Sequence, residues 1–281
     1  MLHIVTDGAA DMPHEWQEAY HIHVVPINIQ FGEKTYLQYR DLDNEGFYRL
    51  VEESGKIPKT SQPSPYQFQE MYERIARPGD TILSIHVTSK LSGTFESAIA
   101  AARELAGKIH VIPFDSACGS AGLGFMCRQA RLLERAGKSV EEILQALEEA
   151  RRKVRIVLTL DRLDYARMSG RVSALQASLA SLLHVKPIVE LKDGILEISE
   201  KVRARGASLQ RVLEIASRGL ESARVHIAAV HARDEKSAHF LLQEAKKFFQ
   251  NAQDTLITDL SIAVTANLGP GTAGIVVYPA E

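Results

Sequence analysis

The first half of the chain alternates short apolar segments with amphipathic ones. Leu2–Val5, Thr81–Val87 and Lys108–Pro113 have the length and apolar character of buried strands. Helical patterns stand between them, for example over Tyr66–Ala76 and Phe95–Leu105. Strands joined by helices favour a mostly parallel sheet, because each crossover brings the chain back to the same end of the sheet. The pattern predicts an α/β fold with helices on both faces of the sheet.

The second half has a different pattern, in which hairpins are mixed with helices. Lys186–Leu191 and Ile195–Val202 flank Asp193-Gly194, a strong signal for a two-residue hairpin turn. This mixture predicts an α+β domain with a mixed sheet. We therefore expect two domains, residues 1–160 and residues 161–281.

Charge and composition exclude several classes of protein. Lys and Arg number 33 and Asp and Glu 35, so the formal net charge is −2 and no basic bias indicates a nucleic-acid partner. Asp7 interrupts the first apolar segment before a signal peptide could form. No apolar run approaches the roughly 20 residues that cross a bilayer. We expect no integral membrane insertion.

The two cysteines, Cys118 and Cys127, form no CxxC pair. Together with the ten scattered histidines they match no zinc spacing, so the sequence predicts no metal site. Two cysteines in 281 residues do not build a disulfide framework. A reducing cytoplasm is the expected location.

A loop rich in Ser, Thr and Gly, Thr88–Thr94, joins a buried strand to a helix and is called the Ser92 loop below. The first N–H groups of a helix lack intrahelical partners, and with the helix dipole they bind anions. Ser92 and Thr94 add hydroxyl donors, and Gly93 lets a ligand approach the backbone. Ser and Thr are also favoured as plain helix N-caps. The local sequence leaves both interpretations open.

A second hydroxyl-rich segment, Thr60-Ser61-Gln62-Pro63-Ser64-Pro65, is called the Thr60 loop below. Its hydroxyls supply donors, and Ser64-Pro65 is suited to starting the helix that follows. A turn with helix-capping serines is the alternative interpretation. In open α/β sheets, ligands bind beyond the carboxyl ends of the strands. The Ser92 loop is expected there, whereas the Thr60 loop is predicted to join two helices.

A third segment, Arg167–Ser173, precedes an uncharged stretch, Ala174–Leu183. Gly170 is suited to ending one helix and Ser173 to capping the next. A helix that is apolar around much of its circumference is either buried or lines a pocket. Both interpretations stay open.

Taken together, these segments resemble the DegV family of bacterial fatty-acid-binding proteins. The resemblance runs nearly end to end and rests on motifs in the family's order, which are Val5-Thr6-Asp7, TSQPSP at 60–65, TSKLSGTFESA at 88–98, SGRVS at 169–173, Lys186-Pro187-Ile188 and Gly269-Pro270-Gly271. It implies two α/β domains and an acyl chain buried in a tunnel between or within them. It further implies a binding protein with a fatty acid as its ligand and no cofactor, rather than an enzyme.

The resemblance also implies which residues hold the carboxylate. The Thr of the first loop and the Ser of the second match Thr60 and Ser92. Ser61, Gly93 and Thr94 are expected to add donors.

Some members of the family present the fatty acid to a separate fatty acid kinase. Basic residues near the tunnel mouth serve kinase docking in such members, and the candidates for this role here are Arg171 and Arg203 or Arg205. The family usually has a His two residues before Gly-Pro-Gly as a further carboxylate contact. This chain has Asn267 there, which can donate a hydrogen bond but cannot become a cation.

Two further patterns, a glycine-rich motif and a pair of carboxylates, are weaker indications of function than the hydroxyl-rich loops. Gly269–Gly274 matches G-x-G-x-x-G, but only seven residues follow, too few for a dinucleotide fold. Asp7 and Asp115 each end a predicted strand, where a paired-carboxylate acid/base site is conceivable. Hydrogen bonding of a loop is the favoured role for both carboxylates, and His86 is interpreted as a core residue.

Three hypotheses follow. The first is a carrier that buries one long-chain fatty acid. The second is an enzyme acting on a phosphorylated or carboxylated small metabolite held by the Ser92 loop. The third is a protein–protein adaptor, which would contain no buried cavity.

Overall fold

The computed structural model describes residues 1–173 and 185–280. They fall into two compact units. The first unit contains residues 1–119 and 123–152, and the second contains residues 120–122, 153–173 and 185–280. The predicted domain boundary near residue 160 stays a prediction. Within residues 1–173 and 185–280, the strand that precedes it, β8 (Arg155–Thr159), pairs with strands of the second unit.

The first unit is built on a four-stranded parallel sheet. Its strands, in the order β2-β1-β6-β7, are β1 (Leu2–Asp7), β2 (Ile22–Val25), β6 (Thr81–His86) and β7 (His110–Asp115). All three neighbouring pairs are parallel, as the alternation of strands and helices predicts.

A small antiparallel sheet accompanies the parallel one. Its strands, in the order β4-β3-β5, are β3 (Asn28–Phe31), β4 (Lys34–Leu37) and β5 (Lys59–Ser61). The sequence predicts one strand over Ile22–Gln30, but the structure divides it at Pro26, which has no N–H for a ladder hydrogen bond. The prediction that the Thr60 loop joins two helices is also wrong for its first two residues. Thr60 and Ser61 belong to β5, which pairs with β3.

Six helices are described in the first unit. They are α1 (His14–Ala19), α2 (Asn44–Ser54), α3 (Pro65–Ile75), α4 (Thr94–Glu104), α5 (Ser120–Arg135, whose first three residues group with the second unit) and α6 (Val140–Arg151). α3 and α4 share one core cluster with Val5, Val25 and Ile82 of the parallel sheet. The loops that begin α3 and α4 are therefore anchored by a common core.

The second unit is built on a seven-stranded mixed sheet in the order β13-β12-β14-β8-β10-β11-β9. Besides β8, its strands are β9 (Val172–Ser173), β10 (Lys186–Lys192), β11 (Ile195–Val202), β12 (Arg224–His231), β13 (Asn251–Asp259) and β14 (Ala273–Pro279). β12–β13 and β11–β9 are parallel pairs, and the other pairs are antiparallel. The predicted hairpin at Asp193-Gly194 is confirmed, with positive φ at both turn residues.

The described helices of the second unit are α7 (Leu163–Ser169), α8 (Arg205–Ser217), α9 (Glu235–Phe248) and α10 (Ile262–Leu268). α8 and α9 pack on the sheet through a continuous apolar cluster. The sequence predicts a strand over Thr255–Thr265, but the strand ends at Asp259 and α10 follows. The side chain of Ser261 caps α10 by accepting a hydrogen bond from the backbone N–H of Val264.

The apolar helix predicted from Ser173 to Leu183 falls outside the described residues from position 174 onward. Across residues 1–173 and 185–280, every helix is too short or too polar to cross a lipid bilayer.

Candidate functional site

The Ser92 loop lies where the sequence predicts it, after the carboxyl end of β6 and before α4. The Oγ atom of Ser92 lies 2.8 Å from the Oγ1 atom of Thr94 and accepts a 3.3 Å hydrogen bond from the Thr94 backbone N–H. The helix begins after Gly93, where no side chain of the described residues provides an N-cap hydrogen bond. Two hydroxyls and the positive end of a helix dipole are thus grouped at one point, an arrangement suited to an anion.

Two carboxylates hold this loop in place. The backbone N–H of Val87 donates to Oδ2 of Asp7 at 2.9 Å. On the other side, the hydroxyl of Ser89 donates to Oδ2 of Asp115 at 2.6 Å. Asp7 and Asp115 end the strands that flank β6, so the sheet itself places their carboxylates on either side of the loop. Asp115 binds a group of the loop and Asp7 binds the residue just before it, in keeping with the hydrogen-bonding role favoured for both over acid/base chemistry.

A buried hydrogen-bonded chain runs inward from Asp7. Nδ1 of His86 lies 3.0 Å from Oδ2 of Asp7, and Nε2 of His86 lies 2.7 Å from Oγ of Ser84. Ser84 in turn lies 2.8 Å from the hydroxyl of Tyr72. All four side chains are fully buried, and burial raises the pKa of the Tyr72 phenol.

In this hydrogen-bonded series, His86 connects Asp7 to Ser84 as the histidine of a nucleophilic catalytic triad connects its Asp and Ser. Ser84, however, is completely buried within β6, and its oxygen also bonds Tyr72, so it is enclosed by protein rather than open to a substrate. We interpret the chain Asp7–His86–Ser84–Tyr72 as structural, which agrees with His86 as a core residue.

Thr60 and Ser61 lie on β5, opposite Ile29 and Asn28 of β3. Thr60 is half-buried and Ser61 is exposed. The residues that follow lead into α3, where Ser64 and Gln67 form a reciprocal capping box. The alternative interpretation of the Thr60 loop, a turn with a helix-capping serine, therefore holds for Ser64.

The structure brings the Thr60 loop and the Ser92 loop together through Gln62, a residue that sequence reasoning missed. The Gln62 amide lies against the Cα atom of Gly93, so close that a Cβ atom on Gly93 would stand 2.2 Å from Oε1 of Gln62. Nε2 of Gln62 also donates to Oγ of Ser97 in the first turns of α4, at 3.3 Å. In the sequence, only its position inside the hydroxyl-rich segment points to Gln62 as a residue of the site.

Asn267 lies in the second unit, on α10, where its Nδ2 atom donates to the carbonyl oxygen of Ala263 at 2.7 Å. The turn that follows contains Gly269 and Gly271, both with positive φ. A carboxylate contact by Asn267 stays a prediction.

The three arginines predicted to dock a partner differ in their surroundings. Arg205 pairs with Asp234 at 2.6 Å and donates to the carbonyl oxygen of Gly271 at 2.8 Å, so it has a structural role at the start of α8. Arg171 is half-buried and donates to the carbonyl oxygen of Ser169, while Arg203 is exposed. Docking by Arg171, Arg203 or Arg205 stays a prediction.

Cys118 and Cys127 are free, fully buried thiols, and burial raises the pKa of each to about 12. Thiols with pKa values this high are inert at neutral pH. Within the described part of the chain, no group of three or more His, Cys, Asp or Glu side chains is placed to hold a metal ion.

Comparison with known proteins identifies the family. Residues 1–280 match the family described as "Uncharacterised protein, DegV family". The chain belongs to the DegV family. It is 34% identical to Protein DegV of Bacillus subtilis over 277 residues, which cover 97% of each chain.

Solved structures of DegV proteins have the same fold. The crystal structure of DegV, a fatty acid binding protein from Bacillus subtilis, is 32% identical, with a TM-score of 0.89 and 99% of each chain covered. A DegV family protein from Thermus thermophilus, whose structure is described as showing fatty acid binding, is 29% identical with the same TM-score and coverage. The two-domain DegV-like α/β fold inferred from the motifs is confirmed.

Proposed function

We propose that this DegV protein binds one long-chain fatty acid and holds its carboxylate between the Thr60 loop and the Ser92 loop. The observation that carries the proposal is the packing of Gln62 against Gly93, which brings the two hydroxyl-rich segments to the start of α4. Fatty acid binding by the Bacillus subtilis and Thermus thermophilus relatives supports it.

The donors fit the chemistry of a carboxylate. A carboxylate taken out of water needs several hydrogen-bond donors to offset the lost hydration. Ser92 and Thr94 offer hydroxyls at the start of α4, and Thr60 and Ser61 offer two more on β5. These donors are neutral, so they hold the charge without placing a strong acid or base beside it.

Burial of the acyl chain would supply most of the affinity. Each buried methylene contributes about 0.8 kcal/mol, so a sixteen-carbon chain gives roughly 10 kcal/mol before the costs of association.

Asn267 would add a hydrogen-bond donor to the carboxylate of the fatty acid.

The proposal also includes a role as a carrier that delivers the fatty acid to another protein. The fatty acid would be presented to a partner kinase in the cytoplasm, with Arg171, Arg203 or Arg205 at the docking surface. The exposed side chain of Arg203 is the most available of the three. Two free, buried thiols fit a reducing compartment.

Native mass spectrometry of the purified protein tests the central claim. A fatty acid carrier should appear with an added mass equal to one long-chain acid, which organic extraction removes. Protein that purifies empty, ignores added palmitic acid and turns over a small phosphorylated or carboxylated metabolite would replace the carrier with the enzyme hypothesis.

A further inference from the structure

The amide of Gln62 occupies the space that a side chain at position 93 would fill. A Cβ atom on Gly93 would lie 2.2 Å from Oε1 and 2.6 Å from Nε2 of Gln62, well inside van der Waals contact. Glycine at position 93 therefore allows an amide group to lie directly on the backbone at the start of α4. This position is adjacent to the hydroxyls of Ser92 and Thr94.

The backbone and side chain of Gln62 are held differently. Its carbonyl oxygen accepts a 3.0 Å hydrogen bond from Nδ2 of Asn28, which ties residue 62 to β3. Its amide nitrogen donates to Ser97 at 3.3 Å, longer than the usual 2.9–3.0 Å for such a bond. An amide nitrogen has two N–H donors, so one can stay with Ser97 while the other faces a ligand.

We propose that Gln62 is a further ligand-binding residue, whose amide N–H donates to the carboxylate held at the Ser92 loop. This inference rests on the proposed function and extends it. A carboxylate seated on the first turn of α4 lies beside the Gln62 amide, which supplies a third kind of neutral donor besides hydroxyls and backbone N–H groups. The sign of the charge at position 62 then determines how well an anionic head group binds.

Substitutions of opposite charge test this assignment through palmitic acid titrated into delipidated protein. Gln62→Glu keeps the shape but places a second carboxylate beside the first, so binding at pH 8 should weaken at least about tenfold. Binding should recover as the pH falls and the introduced carboxylate becomes protonated. Gln62→Lys keeps a donor and adds a favourable charge, so its affinity should match or exceed that of the wild type.

Gln69→Glu is the matched control, because it makes the same change of charge at a partly exposed position of α3. It should bind palmitic acid as the wild type does. Thermal unfolding of each variant checks that the fold is kept, which the exposed position of Gln62 favours.

Different results would contradict the role of Gln62 and the proposed function on which it rests. Equal losses in Gln62→Glu and Gln62→Lys, or a Gln62→Glu variant that behaves like Gln69→Glu, would overturn the role of Gln62 alone. If delipidated wild-type protein does not bind palmitic acid, the proposed function itself is wrong.

Discussion

Ser84 and Ser92 stand eight residues apart, one within β6 and the other in the loop that follows it, and their surroundings are opposite. Ser84 is completely buried and lies within hydrogen-bond distance of both His86 and Tyr72. Ser92 is half-buried, and the hydrogen bonds found for its hydroxyl are to Thr94, two residues away.

The difference separates structural polar groups from those suited to a ligand. A buried polar group that loses its partner costs the full free energy of desolvation, so breaking the hydrogen-bonded series Asp7–His86–Ser84–Tyr72 should lower the stability of the fold. The hydroxyl of Ser92, which is half-buried, can exchange its local bond to Thr94 for a bond to a carboxylate at little cost. The first region should therefore govern stability and the second ligand binding.

The largest expected effect is a loss of stability in Asp7→Ala. Asp7 accepts hydrogen bonds from the backbone N–H groups of Ala9 and Val87 and pairs with His86 in a fully buried position. Removing the carboxylate leaves these groups without their acceptor and should lower the free energy of unfolding by about 3–5 kcal/mol. Urea denaturation measures the change.

Glu70→Ala, which removes an exposed carboxylate from α3, is the control and should change stability by less than about 0.5 kcal/mol. If Asp7→Ala is as stable as this control, the chain from Asp7 does not support the sheet.

The double variant Thr60→Ala with Ser92→Ala should have the opposite effect to Asp7→Ala, because it should weaken ligand binding and leave stability nearly unchanged. Each lost hydrogen bond to a charged group is worth about 1.5–3 kcal/mol, so together the two substitutions should weaken palmitic acid binding at least about 100-fold. The free energy of unfolding should change little, because neither hydroxyl is fully buried. Native mass spectrometry and urea denaturation measure the two quantities on the same sample.

Ser64→Ala serves as the comparison for that double variant, since its hydroxyl caps α3 in the same segment. It should lose about 1 kcal/mol of stability and keep its ligand. Unchanged ligand retention in the double variant would disprove the proposed carboxylate site.

Tyr72→Phe should have an intermediate effect on stability alone. It removes the last hydroxyl of the buried chain while Ser84 keeps His86 as its partner, so the expected loss is about 1 kcal/mol. Tyr66→Phe, at a tyrosine that is 65% exposed, should be neutral. A Tyr72→Phe protein that loses its fatty acid without losing stability would contradict the division between the two regions.

The motifs and the alternation of strands and helices were sufficient to predict the parallel sheet, the mixed second sheet and the Ser92 loop. These features depend on local patterns, such as apolar strands, the Asp193-Gly194 turn and the Ser-Gly-Thr helix start. They are visible in sequence because neighbouring residues determine them.

Features that depend on distant partners were missed. β5 has only three residues and is a strand because β3 pairs with it, so the local sequence predicts a loop at Thr60. The contact between Gln62 and Gly93 joins positions 31 residues apart and depends on the absence of a side chain at one of them. The ion pair between Arg205 and Asp234 joins positions 29 residues apart and likewise depends on the fold.

The smallest expected effect is that of Asn267→His, a substitution that adds a titratable group to a site of neutral donors. In Asn267→His, an imidazole with an ordinary pKa near 6.5 would stand beside the bound carboxylate, if Asn267 contacts it as proposed. The carboxylate favours the protonated form, so affinity should rise a few-fold as the pH falls from about 8 to about 6. Palmitic acid titrations against the wild type measure the pH dependence, with Gln250→His as a control at an exposed position. Parallel pH profiles in all three proteins would remove Asn267 from the carboxylate site and leave the two loops of the first unit as its only proposed donors.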